Sequence, residues 1–177
     1  MTATTHLAEF TAANGALIYI RFLTRDDGEL LFDLFNRLSP NSRYQRFHVP
    51  RADVTEEEIR SQLPFYLSVD GVNHVALVAI APEAEREVAA GVARFRRKPG
   101  AEEAEAAVVV ADAWQRQGVG RDLLERLCEV AQAAGVRRLV AWVQASNRSA
   151  LQLVASLGRR TEHHPEHGED YLVMFLE

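Results

Sequence analysis

The chain has 177 residues, of which 47% are hydrophobic and 25% charged, and its formal net charge is −5. These values are those of an ordinary globular protein, and they argue against a disordered chain or a general nucleic-acid-binding surface. The single cysteine, Cys128, excludes an internal disulfide and a multi-cysteine zinc site. We expect one domain over residues 1–177. Because no signal peptide or membrane-spanning apolar run is evident, we also expect a cytoplasmic protein without a membrane partner, either a monomer or a homodimer.

The amino-terminal part of the sequence predicts a strand followed by two helices. Residues 1–14 are mostly small and polar, which indicates a loose segment before the strand over 17–23. Apolar residues at helical spacing predict a first helix over 30–38. A capping box at Thr55 opens a second helix that ends near residue 63. The stretch between these helices, which includes residues 43–47, is interpreted as a functional lip.

The middle of the chain predicts a meander that leads into a crossover. Three strand patterns separated by turns follow one another, over 72–81, 88–97 and 105–111. An amphipathic helix pattern then begins at Asp122 and stops at Gly135, and a further strand is predicted over 136–143. A strand, a helix and a strand joined by short loops form a right-handed unit whose two strands run parallel.

The last part of the chain predicts one more helix and a hairpin. Ser146 and Asn147 have the side chains that cap a helix, and the apolar pattern after them stops at Gly158. Strand patterns over 159–163 and 171–176 then predict a terminal hairpin. The sequence as a whole therefore predicts an α+β fold.

The stretch from Val108 to Arg121 carries the most informative chemistry. It reads as a strand, a glycine-containing loop and a helix start, and this arrangement presents unpaired backbone N–H groups to an anion. Gly118 and Gly120 have no side chains to keep a phosphate away, and the arginines at 116 and 121 add positive charge. A Lys-Ser/Thr pair does not follow the last glycine, and a leucine replaces the third glycine of the dinucleotide fingerprint. Neither of those phosphate motifs is present.

Two motifs instead resemble the GNAT superfamily of acetyl-CoA-dependent N-acetyltransferases. Gln115-x-x-Gly118-x-Gly120 resembles its pyrophosphate loop, and Asn147-x-x-Ala150-x-x-Leu153 followed by Gly158 resembles its second cofactor-binding segment. The resemblance implies a mixed, mostly antiparallel sheet that splays after its central strand and carries helices on both faces. It also implies acetyl-CoA as acetyl donor and no metal. The implied cofactor-binding residues are Val108, Val109, Val110, Gln115, Arg116, Gln117, Gly118, Val119, Gly120, Arg121, Asn147 and Ala150.

Within that superfamily, two segments are similar to bacterial protein-lysine acetyltransferases that modify acetyl-CoA synthetase. These segments are 38–47 and 108–120. The resemblance implies a protein lysine as acceptor and acetyl-CoA synthetase as a candidate partner. A small-molecule amine stays an alternative, because nothing in the sequence separates it from a lysine side chain. A non-catalytic acyl-CoA-binding module is a third alternative, since Val154 occupies the position where the family often has a tyrosine that protonates the leaving thiolate.

The same resemblance suggests how the reaction is catalysed. It points to Glu105 as general base and to the Val110 N–H as the contact for the oxyanion. The competing interpretation is that Glu105 is one of several solvated acids in a surface turn; burial on the strand would instead raise its pKa toward neutrality. A buried, inert Cys128 is favoured over an acetyl-cysteine intermediate, so direct transfer is expected.

Candidates for the acceptor site and for a metal site are weaker. Arg43, Tyr44 and Arg46 are candidates for the acceptor entrance, with a surface loop as the equal alternative. His74 is a further acceptor candidate, although a half-buried structural histidine is the favoured interpretation. A histidine cluster lies near the final turn, but it lacks nearby cysteines and is interrupted by a proline, so no metal site is predicted.

Overall fold

A computed structural model describes residues 6–47 and 54–177 of the chain. The strands are β1 (Ala8–Thr11), β2 (Leu17–Phe22), β3 (His74–Glu83), β4 (Arg86–Arg96), β5 (Glu103–Val110), β6 (Arg138–Gln144), β7 (Thr161–Glu166) and β8 (Glu169–Phe175). The helices are α1 (Gly28–Asn36), α2 (Pro40–Phe47), α3 (Glu56–Tyr66), α4 (Val119–Ala133) and α5 (Arg148–Ser156). The strands form a single sheet in the order β1-β2-β3-β4-β5-β6-β8-β7.

The central strands are covered by helices on both faces. Every residue of β3 from His74 to Ala81 is buried, which is the pattern of a strand that packs on both sides. Leu31 and Phe35 of α1 lie against one face of β4 and β5. On the opposite face, α4 brings Leu123 against β4. The α+β architecture predicted from the sequence is confirmed.

Gly91 shows how closely α4 approaches the sheet. A Cβ at this position would lie 2.8 Å from the Val109 carbonyl oxygen and 3.1 Å from a methyl group of Leu123. The first atom belongs to the backbone of β5 and has no freedom to move away. Glycine at position 91 is therefore required by the spacing between β4, β5 and α4.

The sheet splays between β5 and β6, as predicted. These strands run parallel but pair at only three positions, of which the last joins Glu105 to Val140. Beyond this point β6 stays paired with β8 as far as Gln144, while β5 stays paired with β4 as far as Val110. The gap that opens between β5 and β6 is where the functional site lies.

One expectation about the amino-terminal half is wrong, and a second is refined. The segment 1–14 was expected to be loose, but Ala8–Thr11 forms β1 and pairs antiparallel with β2; residues 1–5 lie outside the described part. Residues 43–47 of the expected lip belong to a helix, α2, which contributes to the wall of the cavity described below, and residues 48–53 lie outside the described part. The strongly polar sequence of α2 gives little apolar periodicity, so its helical state depends on tertiary contacts. The predicted capping box at Thr55 is confirmed, with Glu58 as its partner.

No helix in the described ranges 6–47 and 54–177 combines the length and apolar character needed to cross a membrane.

Candidate active site

The gap between β5 and β6 opens into a cavity of about 1160 Å³. Its walls come from β5, β6 and β8, from the loop after β5 and the start of α4, and from α2, α3 and α5. Most of the residues predicted to bind a cofactor line it, namely Val108, Val109, Val110, Gln115, Arg116, Gly118, Gly120, Arg121, Asn147 and Ala150. Glu105 lines the same cavity. One space thus collects residues from two motifs that are distant in the sequence.

The loop after β5 delivers free backbone donors to one end of the cavity. Gly118 is the N-cap of α4 and adopts a left-handed conformation with φ 92°. The first hydrogen bond of the helix runs from the Asp122 N–H to the Gly118 carbonyl at 3.0 Å. The N–H groups of residues 119–121 therefore precede the first hydrogen bond of the helix and lie at the positive end of the helix dipole. This end of the cavity is suited to a phosphate.

Gly120 has a packing role beside its place in the loop. A Cβ at this position would lie 3.3 Å from a methyl group of Val110 and 3.4 Å from one of Leu153. Glycine therefore lets α4 approach both β5 and α5, whose residues form opposite walls of the cavity. Without that approach the helix N-terminus would stand further from the strand.

Two of the residues predicted to bind the cofactor lie behind the cavity wall. Val119 is fully buried in the core, and the Gln117 carbonyl oxygen accepts a hydrogen bond from the Ala13 N–H at 3.1 Å. Their side chains do not line the cavity. Any contact they make with a ligand is therefore restricted to backbone N–H groups.

Every second residue of strand β5 directs its backbone N–H and C=O groups toward the gap. The Ala111 N–H bonds to the Ala90 carbonyl on the β4 side, and the Glu102 carbonyl accepts from Arg138 on the β6 side. Because N–H and C=O groups alternate in direction along a strand, Val108 and Val110 point toward β6, and Val109 points toward β4. Since β6 has diverged there, the backbone of Val108 and Val110 faces the cavity. The Val109 backbone is committed to the sheet, and only its side chain reaches the cavity wall.

A carboxylate ties the loop to α2 on the facing wall. Asp112 accepts hydrogen bonds from the Ser39 N–H at 3.0 Å, from the Ser39 hydroxyl at 2.7 Å and from the Ser42 hydroxyl at 2.8 Å. Burial raises the pKa of Asp112, but these bonds outweigh it and hold the pKa below its ordinary value. The Gln115 side chain extends the network by donating to Ser42 at 3.1 Å and to the Val110 carbonyl at 3.2 Å. The loop and α2 are thereby held in register across the cavity.

The second motif forms the wall opposite β5. Asn147 is the N-cap of α5, and its side-chain oxygen accepts from the Ala150 N–H at 3.1 Å. Val154 lies further along the same helix and lines the cavity. The alkyl side chain of Val154 therefore lies where the family often has a tyrosine hydroxyl. A proton donor at that position is not available from residue 154.

Glu105 lies where β5 and β6 separate, at the opposite end of the strand from the phosphate loop. Its side chain is exposed toward the cavity. The alternative in which Glu105 is buried on the strand is therefore not observed. Arg46 from α2 and Tyr66 from α3 line the cavity with it. Between Glu105 and Val110 the strand extends for about 17 Å, at roughly 3.3 Å per residue. The carboxylate and the helix N-terminus can therefore contact two ends of one elongated ligand.

Three residues predicted as acceptor contacts, Arg43, Tyr44 and His74, do not line the cavity. Arg43 donates to the Asn36 carbonyl at 2.7 Å and so links α2 to α1. The Tyr44 hydroxyl lies 3.5 Å from the Gln144 side-chain oxygen. His74 is buried, with its Nδ1 atom 3.0 Å from the Ser68 carbonyl. Burial and the neighbouring arginines lower the pKa of His74, which suits a neutral structural histidine. Arg43, Tyr44 and His74 are therefore engaged outside the cavity that Glu105 lines.

The Glu105 end of the cavity contains residues that sequence patterns do not reveal. Gln62 and Tyr66 lie on α3, about 40 residues before β5 in the sequence, and no motif connects the two segments. Arg46 was considered at the entrance and does line the cavity. The sequence signal that could have indicated Tyr66 is the Phe-Tyr pair at the end of α3, which adds apolar surface beyond the amphipathic face of the helix.

Cys128 does not reach the reacting region. Its side chain is fully buried, and its sulfur lies 3.8 Å from the Met174 sulfur. Burial raises the pKa of this thiol to about 11, which keeps it protonated at neutral pH. Near the final turn, His163 pairs with Asp170 at 2.7 Å. Among the residues that the structure describes, no group of three or more metal-ligating side chains is gathered for an ion.

The splayed sheet, the helix N-terminus without a side-chain cap and the strand backbone that faces the gap are suited to an elongated, phosphate-bearing ligand beside a carboxylate. The family model described as Acetyltransferase (GNAT) family matches residues 32–158. The chain belongs to this family of acetyltransferases, and its predicted GNAT fold is confirmed.

Individual relatives agree with this assignment. Over 153 residues, the chain is 28% identical to Acetyltransferase PA5475 of Pseudomonas aeruginosa, covering 86% of this chain and 80% of that protein. It is similar to the GNAT domain of S. lividans PAT, with 26% identity, a TM-score of 0.79 and coverage of 94% of each chain. It also has the fold of yncA, a putative acetyltransferase of Salmonella typhimurium solved with its cofactor acetyl-CoA. That match has 23% identity and a TM-score of 0.66, and it covers 90% of this chain and 94% of the other.

Proposed function

We propose that the protein transfers the acetyl group of acetyl-CoA to a primary amine. The observation that carries this proposal is the gap between β5 and β6, which has an anion-binding helix N-terminus at one end and Glu105 at the other. The pyrophosphate of CoA would contact the N–H groups of residues 119–121, with Arg116 and Arg121 beside it. The pantetheine arm would then extend along the backbone of Val108 and Val110.

In the proposed reaction, Glu105 removes a proton from the acceptor ammonium, directly or through one water. The free amine attacks the thioester carbonyl, a C–N bond forms, and the C–S bond breaks. The Val110 N–H faces the gap and would donate to the carbonyl oxygen as negative charge develops there. The departing CoA thiolate takes its proton from solvent, because Val154 offers none. Cys128 is buried away from this path, which favours direct transfer over a covalent intermediate.

A protein lysine is the first candidate acceptor. Its support is the resemblance of segments 38–47 and 108–120 to bacterial protein-lysine acetyltransferases. The cavity is also lined at the Glu105 end by side chains of α2 and α3, which are the candidates to contact the acceptor. Acetyl-CoA synthetase is the first protein to test.

Two measurements on the purified protein test this function. Calorimetry with acetyl-CoA measures binding, and release of the CoA thiol measures transfer to a panel of amines and to purified acetyl-CoA synthetase. We expect binding together with amine-dependent thiol release. Binding without thiol release on any acceptor would favour a non-catalytic acyl-CoA-binding module. Failure to bind acetyl-CoA would contradict both functions.

A further inference from the structure

Trp142 of β6 is an exposed aromatic residue in the wall of the cavity. It is 46% exposed, and of the exposed large apolar side chains in the described residues it is the one that lines the cavity. Single exposed apolar residues are common on protein surfaces. An indole that forms part of a cavity wall, however, gains free energy when a ligand displaces the water from it. Trp142 is therefore a candidate for contact with a ligand.

The sheet places Trp142 on the same face as Glu105. Glu105 is opposite Val140 at the last pair that joins β5 to β6. Residues two apart in a strand point to the same face, so Trp142 lies on the side of the sheet that Val140 and Glu105 share. It lies about 7 Å further along β6 than Val140, at roughly 3.3 Å per residue. The cavity thus has a carboxylate where the strands separate and an indole further along one wall.

Tyr171 supports the indole from the neighbouring strand. It is opposite Trp142 in the pairing of β6 with β8, and the two ring centres lie 4.9 Å apart with an angle of 45° between the planes. This separation is typical of favourable aromatic pairs, so the contact restrains the orientation of the indole. Within residues 6–47 and 54–177, no guanidinium stacks on Trp142, although several other rings in these ranges carry one. The exposed part of the indole is therefore open to a ligand.

We propose that Trp142 is a substrate-binding residue that selects acceptors whose amine is carried by an unbranched alkyl chain. The inference rests on the function proposed above, because it places the reacting amine at Glu105. With the amine there, the alkyl chain extends along β6 and packs on the indole. An indole face attracts alkyl groups and cations, and it offers no positive charge to a carboxylate. A lysine side chain, which is an ammonium on a flexible four-carbon stem, has this chemistry, and so does a free linear amine.

Two series of primary amines test the inference. Thiol release gives kcat/KM for ethylamine, n-propylamine, n-butylamine and n-pentylamine, whose amino groups have nearly equal basicity. The second series compares Nα-acetyl-ornithine amide with Nα-acetyl-lysine amide, which is longer by one methylene. Because each methylene packs on the indole, kcat/KM rises about two- to fourfold with each one added, up to the value for complete burial. The series with the higher kcat/KM identifies the source of the chain as a free amine or a protein lysine.

Variants connect this dependence on chain length to the indole. In Trp142→Ala the increase per methylene is lost, so kcat/KM for n-pentylamine falls at least about tenfold while that for ethylamine stays within about threefold of wild type. Trp142→Phe restores most of the increase, because it keeps an aromatic face. Phe22→Ala is the matched control, since Phe22 is 45% exposed but does not line the cavity. It retains the wild-type dependence on chain length.

Tryptophan fluorescence measures the same contact without turnover. The chain has two tryptophans, and the other one, Trp114, is buried. In the presence of CoA no acetyl group is available for transfer. Under these conditions, titration with n-pentylamine changes the emission of the wild-type protein and leaves that of Trp142→Phe unchanged. An equal change in both proteins would contradict a contact with Trp142.

The remaining outcomes distinguish the inference from the proposed function. Acetylation of amines with a kcat/KM that does not depend on chain length, in the wild-type protein, would overturn the inference and leave the proposed function intact. A length dependence that persists in folded Trp142→Ala would also overturn the inference. So would a dissociation constant for acetyl-CoA that rises in Trp142→Ala as much as kcat/KM falls, because Trp142 would then contact the cofactor. Binding of acetyl-CoA without acetylation of any amine would overturn both proposals.

Discussion

The two ends of the cavity are formed by different kinds of chemical group. The phosphate end consists of backbone groups and glycines that belong to one continuous segment, from β5 through the loop to α4. The Glu105 end consists of side chains from three separate segments, β5, α2 and α3. The first end depends little on side-chain identity, because backbone geometry presents most of its donors. The second end can change its ligand by substitution of side chains, so we propose it as the end that selects the acceptor.

The largest effect is expected at the Glu105 end. Glu105→Gln keeps the size of the side chain and removes the base, so turnover falls at least ~100-fold, the lower range for the loss of a general base. Steady-state thiol release at neutral pH measures it. Glu103→Gln is the control on the same strand, because Glu103 is exposed and pairs with Arg138 at 3.2 Å outside the cavity. Near wild-type turnover in Glu105→Gln would remove the assignment of the base.

A smaller effect is expected from the backbone of the phosphate end. Gly118→Ala places a Cβ on a residue with φ 92°, which costs about 1–2 kcal/mol in the left-handed region. The loop then relaxes away from its anion-binding geometry, and the dissociation constant for acetyl-CoA rises about tenfold by the same energy. Gly100→Ala is the control, since its φ of 75° carries a similar strain in an open turn. A Gly100→Ala protein that loses affinity equally would show that general destabilisation is the cause.

The Asp112 carboxylate, which links the loop after β5 to α2, is expected to make the stability of the protein depend on acid. Asp112 has a depressed pKa in the folded protein, so its stabilising contribution is complete above the ordinary aspartate pKa and is lost as the pH falls through the folded value. Asp112→Asn removes this dependence and, through the weakened bonds to Ser39 and Ser42, lowers the Tm at neutral pH by about 2–4 °C. Thermal unfolding between about pH 7 and pH 3 compares the two proteins. If the Tm of wild type and of Asp112→Asn falls equally as the pH is lowered, this role of Asp112 is contradicted.

The smallest effect is expected at the thiol. Cys128→Ala leaves turnover within about twofold of wild type, because direct transfer does not use this side chain and its thiol is protonated at neutral pH. Reaction of the native protein with a chromogenic disulfide is slow for the same reason. Loss of turnover in a Cys128→Ala protein that remains folded would instead favour an acetyl-cysteine intermediate.

The sequence anticipated the phosphate end well and the acceptor end poorly. Gln115, Gly118 and Gly120 lie in one short motif whose backbone geometry follows from local structure, and the splay after β5 followed from the resemblance. The acceptor wall depends on how α2 and α3 pack over the sheet. Helix α2 was missed because its polar sequence gives no apolar period, and it is fixed by Asp112, 70 residues later than Ser42. Contacts over such distances leave no periodic signal in the chain.

The affinity of Glu105→Gln for acetyl-CoA tests most directly whether the two ends act separately. Calorimetric titration gives this value independently of turnover. If the phosphate end alone holds the cofactor, the dissociation constant of Glu105→Gln stays within about twofold of wild type while turnover falls at least ~100-fold. A dissociation constant that rises in proportion to the loss of turnover would contradict the account, because Glu105 would then be part of the cofactor-binding site.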